Sequence, residues 1–114
     1  MIVVIDDEEA IRASISFLLR SLGHEVRTYA SPLHYLEDPV EPDLFLIDHL
    51  MPGMTGLQFL QEHPDFVERV PILLMTAYAA EIRAEAFAAG ARAILIKPFA
   101  PPDLIDAIKE HVAP

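Results

Sequence analysis

The sequence predicts an α/β fold in which helices cover both faces of a parallel five-stranded sheet, giving a three-layer sandwich. Apolar runs of about four residues recur along the chain, each followed directly by a polar residue, which is typical of buried parallel strands. Stretches with helical periodicity lie between these runs, so strands and helices alternate and can be joined by right-handed crossovers. The chain of 114 residues has the length of one domain, and we expect residues 1–114 to form it.

Five segments are predicted to be strands. Four of them are apolar throughout, whereas residues 26–29 alternate in polarity and fit a sheet edge with one wetter face. A wetter second strand favours the order 2-1-3-4-5 of flavodoxin-like folds. The predicted strands are residues 2–5, 26–29, 44–47, 72–75 and 93–96.

The first of five predicted helices is indicated by apolar residues at helical spacing. It ends at Gly23, because glycine tolerates the left-handed conformation of a helix C-terminus. Its predicted buried face consists of Ile11, Ile15, Leu18, Leu19 and Leu22.

The other four helices are predicted from start and stop signals. Residues 31–32, Ser-Pro, fit an N-cap and first turn, and residues 55–58 have the spacing of a capping box. An alanine-rich helix spans residues 79–89 and stops at Gly90. The last helix is introduced by residues 101–103, and its predicted inward residues are Leu104, Ile105, Ile108 and Val112.

Composition argues against several function classes. The formal net charge of −10 disfavours direct binding to nucleic acid, whose phosphates are bound mainly by clustered Lys and Arg. The apolar runs are too short to span a bilayer, and the chain has no cysteine for a disulfide or a thiolate metal site. Met1 leads into the first strand without a basic leader, so we expect a cytoplasmic protein with no membrane association.

Polar residues follow four of the predicted strands. The first strand ends in Asp6 and Asp7, the third in Asp48, the fourth in Thr76 and the fifth in Lys97. Ligands of open parallel sheets bind beyond the carboxyl ends of the strands, so these side chains are expected to converge. Three close carboxylates repel one another by up to ~4 kcal/mol per pair, which calls for a counter-cation. Mg²⁺ is the natural occupant, because it prefers oxygen ligands and bridges carboxylates to phosphates.

The same edge is suited to a phosphoryl group. Lys97 offers a positive charge, Thr76 offers a hydroxyl donor, and Asp48 is the remaining oxygen nucleophile. Each residue alone is weak evidence, because an Asp at a strand end is usually a turn former and a Lys there is usually a surface residue. Their joint placement at one edge of the sheet carries the prediction.

Five segments carry a family resemblance: VIDDE at 4–8, LIDHLMPGMTG at 46–56, MTA at 75–77, AGA at 89–91 and KPF at 97–99. With them the chain resembles the receiver domains of bacterial two-component response regulators over residues 1–112. Its local sequence is similar to receivers that precede a LuxR-type helix-turn-helix output domain, which favours a role in transcription regulation. Residues 111–114 are where a linker to such a domain would begin.

The resemblance implies a role for each acidic residue. Asp48 is the phosphorylated residue, Asp7 ligates Mg²⁺ directly, and Asp6 acts chiefly through water. The main-chain carbonyl of Leu50 completes the protein ligands.

The resemblance also implies how the signal enters and leaves. The phosphoryl donor is a phosphohistidine on a sensor histidine kinase or a phosphotransfer protein, and Thr76 and Lys97 bind the acyl phosphate, with a cis peptide bond between Lys97 and Pro98. The domain is a signalling phosphoacceptor rather than an enzyme and assists only its own phosphorylation and dephosphorylation. Its output is a shift at the face formed by the fourth helix, the fifth strand and the fifth helix, which contacts an output domain or a second copy.

One position departs from the family pattern. The residue three before Lys97 is usually aromatic in receivers and switches inward on phosphorylation, whereas here it is Ile94. Tyr78, two residues after Thr76, is a candidate substitute ring, although the pattern favours an exposed loop tyrosine without such a role. His49 is expected to point away from Asp48, and the histidines at 24, 34, 63 and 111 show no spacing typical of a metal site.

Three other functions remain open on the sequence. A magnesium-dependent phosphatase that forms an aspartyl phosphate uses similar groups, but haloacid-dehalogenase-like enzymes need an acid two residues after the nucleophile, where this chain has Leu50. A flavodoxin is disfavoured because the acidic residues 6–9 would repel the flavin phosphate. The remaining alternative is a receiver-like interaction module that is not controlled by phosphorylation.

Overall fold

A computed structural model describes residues 1–112, so the last two residues of the predicted domain and linker, 113 and 114, lie outside the described residues. The described residues form a five-stranded parallel sheet in the order 2-1-3-4-5 and six helices, which confirms the predicted fold class. The strands are β1 (Ile2–Ile5), β2 (Val26–Tyr29), β3 (Leu44–Asp48), β4 (Ile72–Thr76) and β5 (Ala93–Ile96). The helices are α1 (Glu9–Ser21), α2 (Pro32–Glu37), α3 (Gly56–Glu62), α4 (Pro64–Arg69), α5 (Ala79–Ala88) and α6 (Pro101–His111).

Two apolar layers hold the helices on the sheet. Helices α1 and α6 pack on one face, where Leu19 and Ile108 are buried against alternate residues of the strands. Helices α2 to α5 pack on the other face, whose centre is aromatic and contains Tyr35, Phe45 and Phe59. Since side chains alternate along a strand, each central strand supplies both layers and is buried throughout.

The predicted helix caps are present. Ser31 accepts a hydrogen bond from the His34 N–H at the start of α2, with Pro32 in the first turn. Thr55 accepts from the Gln58 N–H, and the Gln58 side chain accepts from the Thr55 N–H, so α3 begins with a complete capping box. Gly23 follows α1 with a φ of 92°, a left-handed conformation that L side chains rarely adopt.

The prediction of five helices was wrong, because residues 64–69 form a short additional helix, α4. Proline lacks a backbone N–H and is accommodated in the first turn, so Pro64 ends the hydrogen bonding of α3 and begins a new helix. His63 lies between the two helices in a non-helical conformation. The two helices occupy the segment between β3 and β4 that was expected to hold one.

Two apolar segments are more exposed than predicted. Leu22, expected on the buried face of the first helix, is the C-cap of α1 and is 45% exposed, because the chain turns away from the sheet there. Strand β5, expected to be buried, is the second edge of the sheet, with Leu95 buried but Ile96 exposed. At the other edge, β2 is wetter than the central strands, as expected, but its exposed residues Arg27 and Thr28 are consecutive and therefore lie on opposite faces rather than on one.

Within residues 1–112, no helix has both the length and the apolar character needed to cross a membrane.

Candidate functional site

The sheet register brings four strand ends to one edge. Asp48 is the last residue of β3 and lies opposite Met75, the residue before the last residue of β4. Thr76 ends β4 and lies opposite Ile96 of β5, so Lys97 follows directly. Asp6 and Asp7 follow β1, whose last residue is paired with Ile47. Residues that are far apart in the chain therefore meet at the carboxyl edge, as the sequence predicted.

The three acidic side chains form a cluster. Asp6, Asp7 and Asp48 each offer an oxygen, and these three oxygens lie within 4.8 Å of one another. Asp6 and Asp48 are buried, whereas Asp7 is exposed. Such close oxygens suit a hard divalent cation, and the exposed side of the cluster gives an ion access from solvent.

Lys97 joins the two buried carboxylates. Its Nζ lies 3.0 Å from Asp6 Oδ2 and 3.0 Å from Asp48 Oδ1. Burial lowers the pKa of Lys97, but its hydrogen bonds to the two carboxylates outweigh burial and raise the pKa above its ordinary value. The ammonium is therefore charged, and the ionised cluster with Lys97 carries a formal charge of −2, from three carboxylates and one ammonium.

Asp48 is the member of the cluster whose ionised form is disfavoured. Burial raises the pKa of Asp48 to about 6, and the negative charges of Asp6 and Asp7 add to this effect, although Lys97 partly opposes it. The site therefore disfavours the ionised form of Asp48, which is the form that can act as a nucleophile. A cation bound by the same oxygens would favour the ionised form.

The loop after β1 is held by bonds to Asp6. Asp6 Oδ1 accepts a hydrogen bond from the Glu8 N–H at 2.9 Å, and the Asp6 carbonyl accepts from Arg12 Nη1 at 2.7 Å. Sequence analysis missed Arg12, although a basic residue on the second turn of the helix that follows two aspartates is a signal that could have identified it. Arg12 fixes the backbone that carries the acidic pair.

Thr76 closes the site on the β4 side. The residue is buried, and its Oγ1 accepts a hydrogen bond from the Tyr78 N–H at 3.0 Å. The Lys97 N–H donates to the Thr76 carbonyl at 2.9 Å, which ties the end of β5 to this strand. The Lys97–Pro98 peptide bond is cis, as predicted.

The residues next to the site lie as follows. Leu50 and Tyr78 are each about half exposed in the loops after β3 and β4. Ile94 is partly buried and packs against the aromatic layer, the face of the sheet that contains Tyr35, Phe45 and Phe59. His49 is buried, in contrast to His34 at the surface, and burial lowers the pKa of His49 below its ordinary value.

An apolar groove of about 550 Å³ flanks the acidic cluster. It lies between α1 and the segment after β5, and Lys97 is part of its wall. The groove gives a second molecule an apolar surface that reaches the carboxylates through Lys97. Its other lining residues are Ala10, Ile11, Ser14, Ile15, Ala77, Pro98 and Phe99.

Comparisons with known proteins agree with this arrangement. The model of the response regulator receiver domain matches residues 2–109. The phosphate regulon transcriptional regulatory protein PhoB of Escherichia coli K12 is 33% identical over 114 residues, which cover 95% of this chain and 49% of that protein. This chain thus spans about half the length of that relative.

Solved structures show the same architecture. The chemotaxis response regulator CheY4 of Vibrio cholerae superposes with a TM-score of 0.87 at 30% identity, covering 97% of both chains. The receiver domain of the sensor histidine kinase PA1611 from Pseudomonas aeruginosa PAO1 superposes with a TM-score of 0.85 at 27% identity, covering 96% of this chain and 94% of that one. That structure has a magnesium ion coordinated in its active site cleft.

Proposed function

The chain belongs to the response regulator receiver family, whose members are phosphoacceptors of two-component systems, and we propose that Asp48 is its phosphoacceptor. The observation that carries this proposal is the placement of Lys97 Nζ at 3.0 Å from both Asp48 and Asp6, inside a cluster of three carboxylates. An ammonium shared by two carboxylates offers a positive charge next to the nucleophile, where an incoming phosphoryl group needs it.

The proposed reaction transfers the phosphoryl group of a phosphohistidine to Asp48. A carboxylate oxygen of Asp48 forms a bond to phosphorus as the bond between phosphorus and the imidazole nitrogen breaks, and the bonding pair returns to that nitrogen. Lys97 and the Thr76 hydroxyl stabilise the charge on the transferred phosphoryl oxygens. The product is an acyl phosphate on Asp48, and the chain assists only this transfer and the later hydrolysis.

The proposed cofactor is Mg²⁺, held by Asp7, Asp48, the Leu50 main-chain carbonyl and, through water, Asp6. The donor set fits, because all of its atoms are oxygens and the ionised cluster has a formal charge of −2 with Lys97 included. When bound, Mg²⁺ neutralises charge on the carboxylates and on the transferred phosphoryl group. The magnesium ion in the cleft of the PA1611 receiver supports this assignment by similarity.

The proposed partners follow from the position of the site. The donor is a sensor histidine kinase or a phosphotransfer protein. The apolar groove between α1 and the segment after β5 gives its histidine-bearing segment a surface at Lys97, whose Nζ contacts Asp48. The output is a population shift at the face formed by α5, β5 and α6. Because α4 is an additional helix, α5 and α6 correspond to the predicted fourth and fifth helices. This face would contact a second copy or an output domain, and residues 1–114 would act as one cytoplasmic receiver domain. A role in transcription regulation is supported by the relative PhoB, which is a transcriptional regulatory protein.

The proposal is tested by incubating the chain with acetyl phosphate and Mg²⁺ and measuring its intact mass. We expect the mass of one phosphoryl group on the wild type and on Asp65→Asn, which removes an exposed carboxylate of α4, but not on Asp48→Asn. Chelation of Mg²⁺ should abolish the gain. A wild type that gains no phosphoryl group under these conditions would favour an interaction module that is not controlled by phosphorylation.

A further inference from the structure

The first turn of α3 is capped mainly by one residue, His49. A helix begins with backbone N–H groups that lack partners within the helix. The Gly56 N–H donates to the His49 carbonyl at 2.9 Å, and the Leu57 N–H donates to His49 Nδ1 at 3.4 Å. The next N–H, that of Gln58, donates to Thr55 Oγ1. His49 therefore satisfies two of the first three donors, one with its backbone and one with its ring.

The ring of His49 also has a defined chemical state in this arrangement. Nδ1 accepts a hydrogen bond, so it carries no proton, and the proton of the neutral ring lies on Nε2. The residue is 7% exposed, and its backbone N–H donates to the Met75 carbonyl at 2.9 Å. His49 thus links β4 to the start of α3 at the position next to Asp48.

These bonds close a short loop. Residues 50–55 leave the sheet directly after His49 and return to it at Gly56, where the helix begins. A Cβ at Gly56 would lie 2.8 Å from the Asp48 carbonyl oxygen and 3.2 Å from the His49 Cα, so the return point packs directly on the phosphoacceptor strand. The loop has little freedom at its two ends, and its second end is held by two bonds to His49, one from Gly56 to the carbonyl and one from Leu57 to the ring.

We propose that the His49 side chain is a positioning residue for the metal site: its Nδ1, by binding the Leu57 N–H, holds the loop that presents the Leu50 carbonyl next to Asp48. This inference rests on the proposed function of Asp48. A ligand fixed by an outer hydrogen bond binds a metal more tightly than the same ligand on a loose loop, and loss of such a bond typically costs about 10-fold to 100-fold in affinity.

Two variants of nearly equal shape separate the hydrogen bond from packing. In His49→Asn, the side-chain Oδ1 is placed as Nδ1 is in histidine and can accept from the Leu57 N–H. His49→Leu fills a similar volume without an acceptor. We expect His49→Leu to raise the apparent Mg²⁺ dissociation constant about 10-fold and His49→Asn to stay close to the wild type. The dissociation constant is measured by following backbone amide shifts during a Mg²⁺ titration, without any phosphodonor.

A control separates positioning from general stability. Ile108→Val in α6 removes a buried methylene on the opposite layer, and it should lower the urea midpoint without changing the Mg²⁺ dissociation constant. Equal Mg²⁺ affinity of His49→Leu and His49→Asn would overturn the inference, whatever their stabilities. A wild type that binds Mg²⁺ but gains no phosphoryl group would instead count against the proposed function alone.

The wild-type chain provides a second test that needs no variant. The ¹⁵N shifts of the His49 ring report which nitrogen carries the proton. We expect an unprotonated Nδ1 and slow hydrogen exchange at the Leu57 amide. A proton on Nδ1, or a rapidly exchanging Leu57 amide, would overturn the inference even if both His49 variants failed to fold.

Discussion

The aromatic layer and the carboxyl edge of the sheet are built from the same strands but meet opposite requirements. In the aromatic layer, Phe45 of β3 is fully buried and packs edge-on against Tyr35 at a centroid distance of 5.1 Å. Three residues further along the same strand, Asp48 is also buried, but with two other carboxylates near it and a pKa raised to about 6. The comparison indicates that one end of β3 stabilises the fold. The other end holds a carboxylate whose ionised form is disfavoured until a cation binds.

The largest effect is expected in the aromatic layer. Phe45→Ala should lower the free energy of unfolding by about 3 to 5 kcal/mol, because it leaves a cavity among packed rings. The matched control is Phe17→Ala on the outer face of α1, where the ring is 78% exposed and its loss should change stability by less than about 0.5 kcal/mol. Both values are measured by urea unfolding. Similar losses of unfolding free energy for the two variants would show that the aromatic layer stabilises the fold no more than an exposed ring does.

The second-largest effect is expected at Gly56, which packs on the backbone of Asp48 at the carboxyl edge of the sheet. Gly56→Ala would place a Cβ 2.8 Å from the Asp48 carbonyl oxygen and 2.9 Å from Leu74 Cδ2. We expect a loss of about 1 to 3 kcal/mol from overpacking, together with slower phosphorylation by acetyl phosphate, because the backbone of Asp48 must shift.

Gly23→Ala is the control for that variant. It is strained by a φ of 92°, but nothing lies within 4 Å of the added Cβ, and the residue is at the far end of α1. It should therefore lower stability and leave phosphorylation unchanged. A Gly56→Ala variant with normal phosphorylation kinetics would show that the edge tolerates movement of its backbone.

At the edge itself, removing a charge should stabilise the fold. The folded chain holds the Asp48 proton more tightly than the unfolded chain, whose carboxyl has an ordinary pKa near 3.8, so unfolding becomes easier as pH rises from about 4 to about 6. The full pKa shift corresponds to about 3 kcal/mol at pH 7, and solvent at the open side of the cluster screens part of it. Asp48→Asn removes this loss and should raise the free energy of unfolding at pH 7, without Mg²⁺, by about 1 to 2 kcal/mol.

The pH dependence provides the check on this sign. The stability difference between Asp48→Asn and the wild type should shrink as the pH is lowered from 7 towards 4, because the folded carboxyl gains its proton first, and it should level off below the unfolded pKa near 3.8, where both states are protonated. It should also shrink when Mg²⁺ is added at pH 7, because only the wild type offers the complete carboxylate cluster. A variant that is less stable than the wild type at pH 7 would show that attraction to Lys97 outweighs burial at Asp48.

The same contrast explains how much of the molecule could be predicted from sequence. Strand positions and their order followed from apolar runs, because burial of whole strands leaves a local pattern. The polar edge was predicted for the same reason, since Asp48 and Thr76 directly follow those runs and the topology brings them together. Helix α4 was missed because Pro64 is compatible with either a loop or a helix start.

Contacts that depend on loop geometry could not be predicted. The hydrogen bond from the Leu57 N–H to His49 spans eight residues, with no periodicity that links the partners. The exposure of Ile96 follows from the edge position of β5, which the predicted order 2-1-3-4-5 already contained, but the uniformly apolar sequence of the strand indicated burial.

The smallest effect is expected at Tyr78, beside the edge but outside the cluster. The residue is 52% exposed, and its backbone N–H donates a hydrogen bond to Thr76 Oγ1 that is retained in alanine. Tyr78→Ala should therefore change the free energy of unfolding by less than about 0.5 kcal/mol and leave the phosphorylation rate unchanged, with Tyr78→Phe as the control that keeps the ring. Slower phosphorylation or weaker partner binding in Tyr78→Ala, but not in Tyr78→Phe, would identify this ring as the substitute for the aromatic residue that Ile94 replaces. In that case the functional edge would include the loop after β4 through a side chain that contributes little to the stability of the fold.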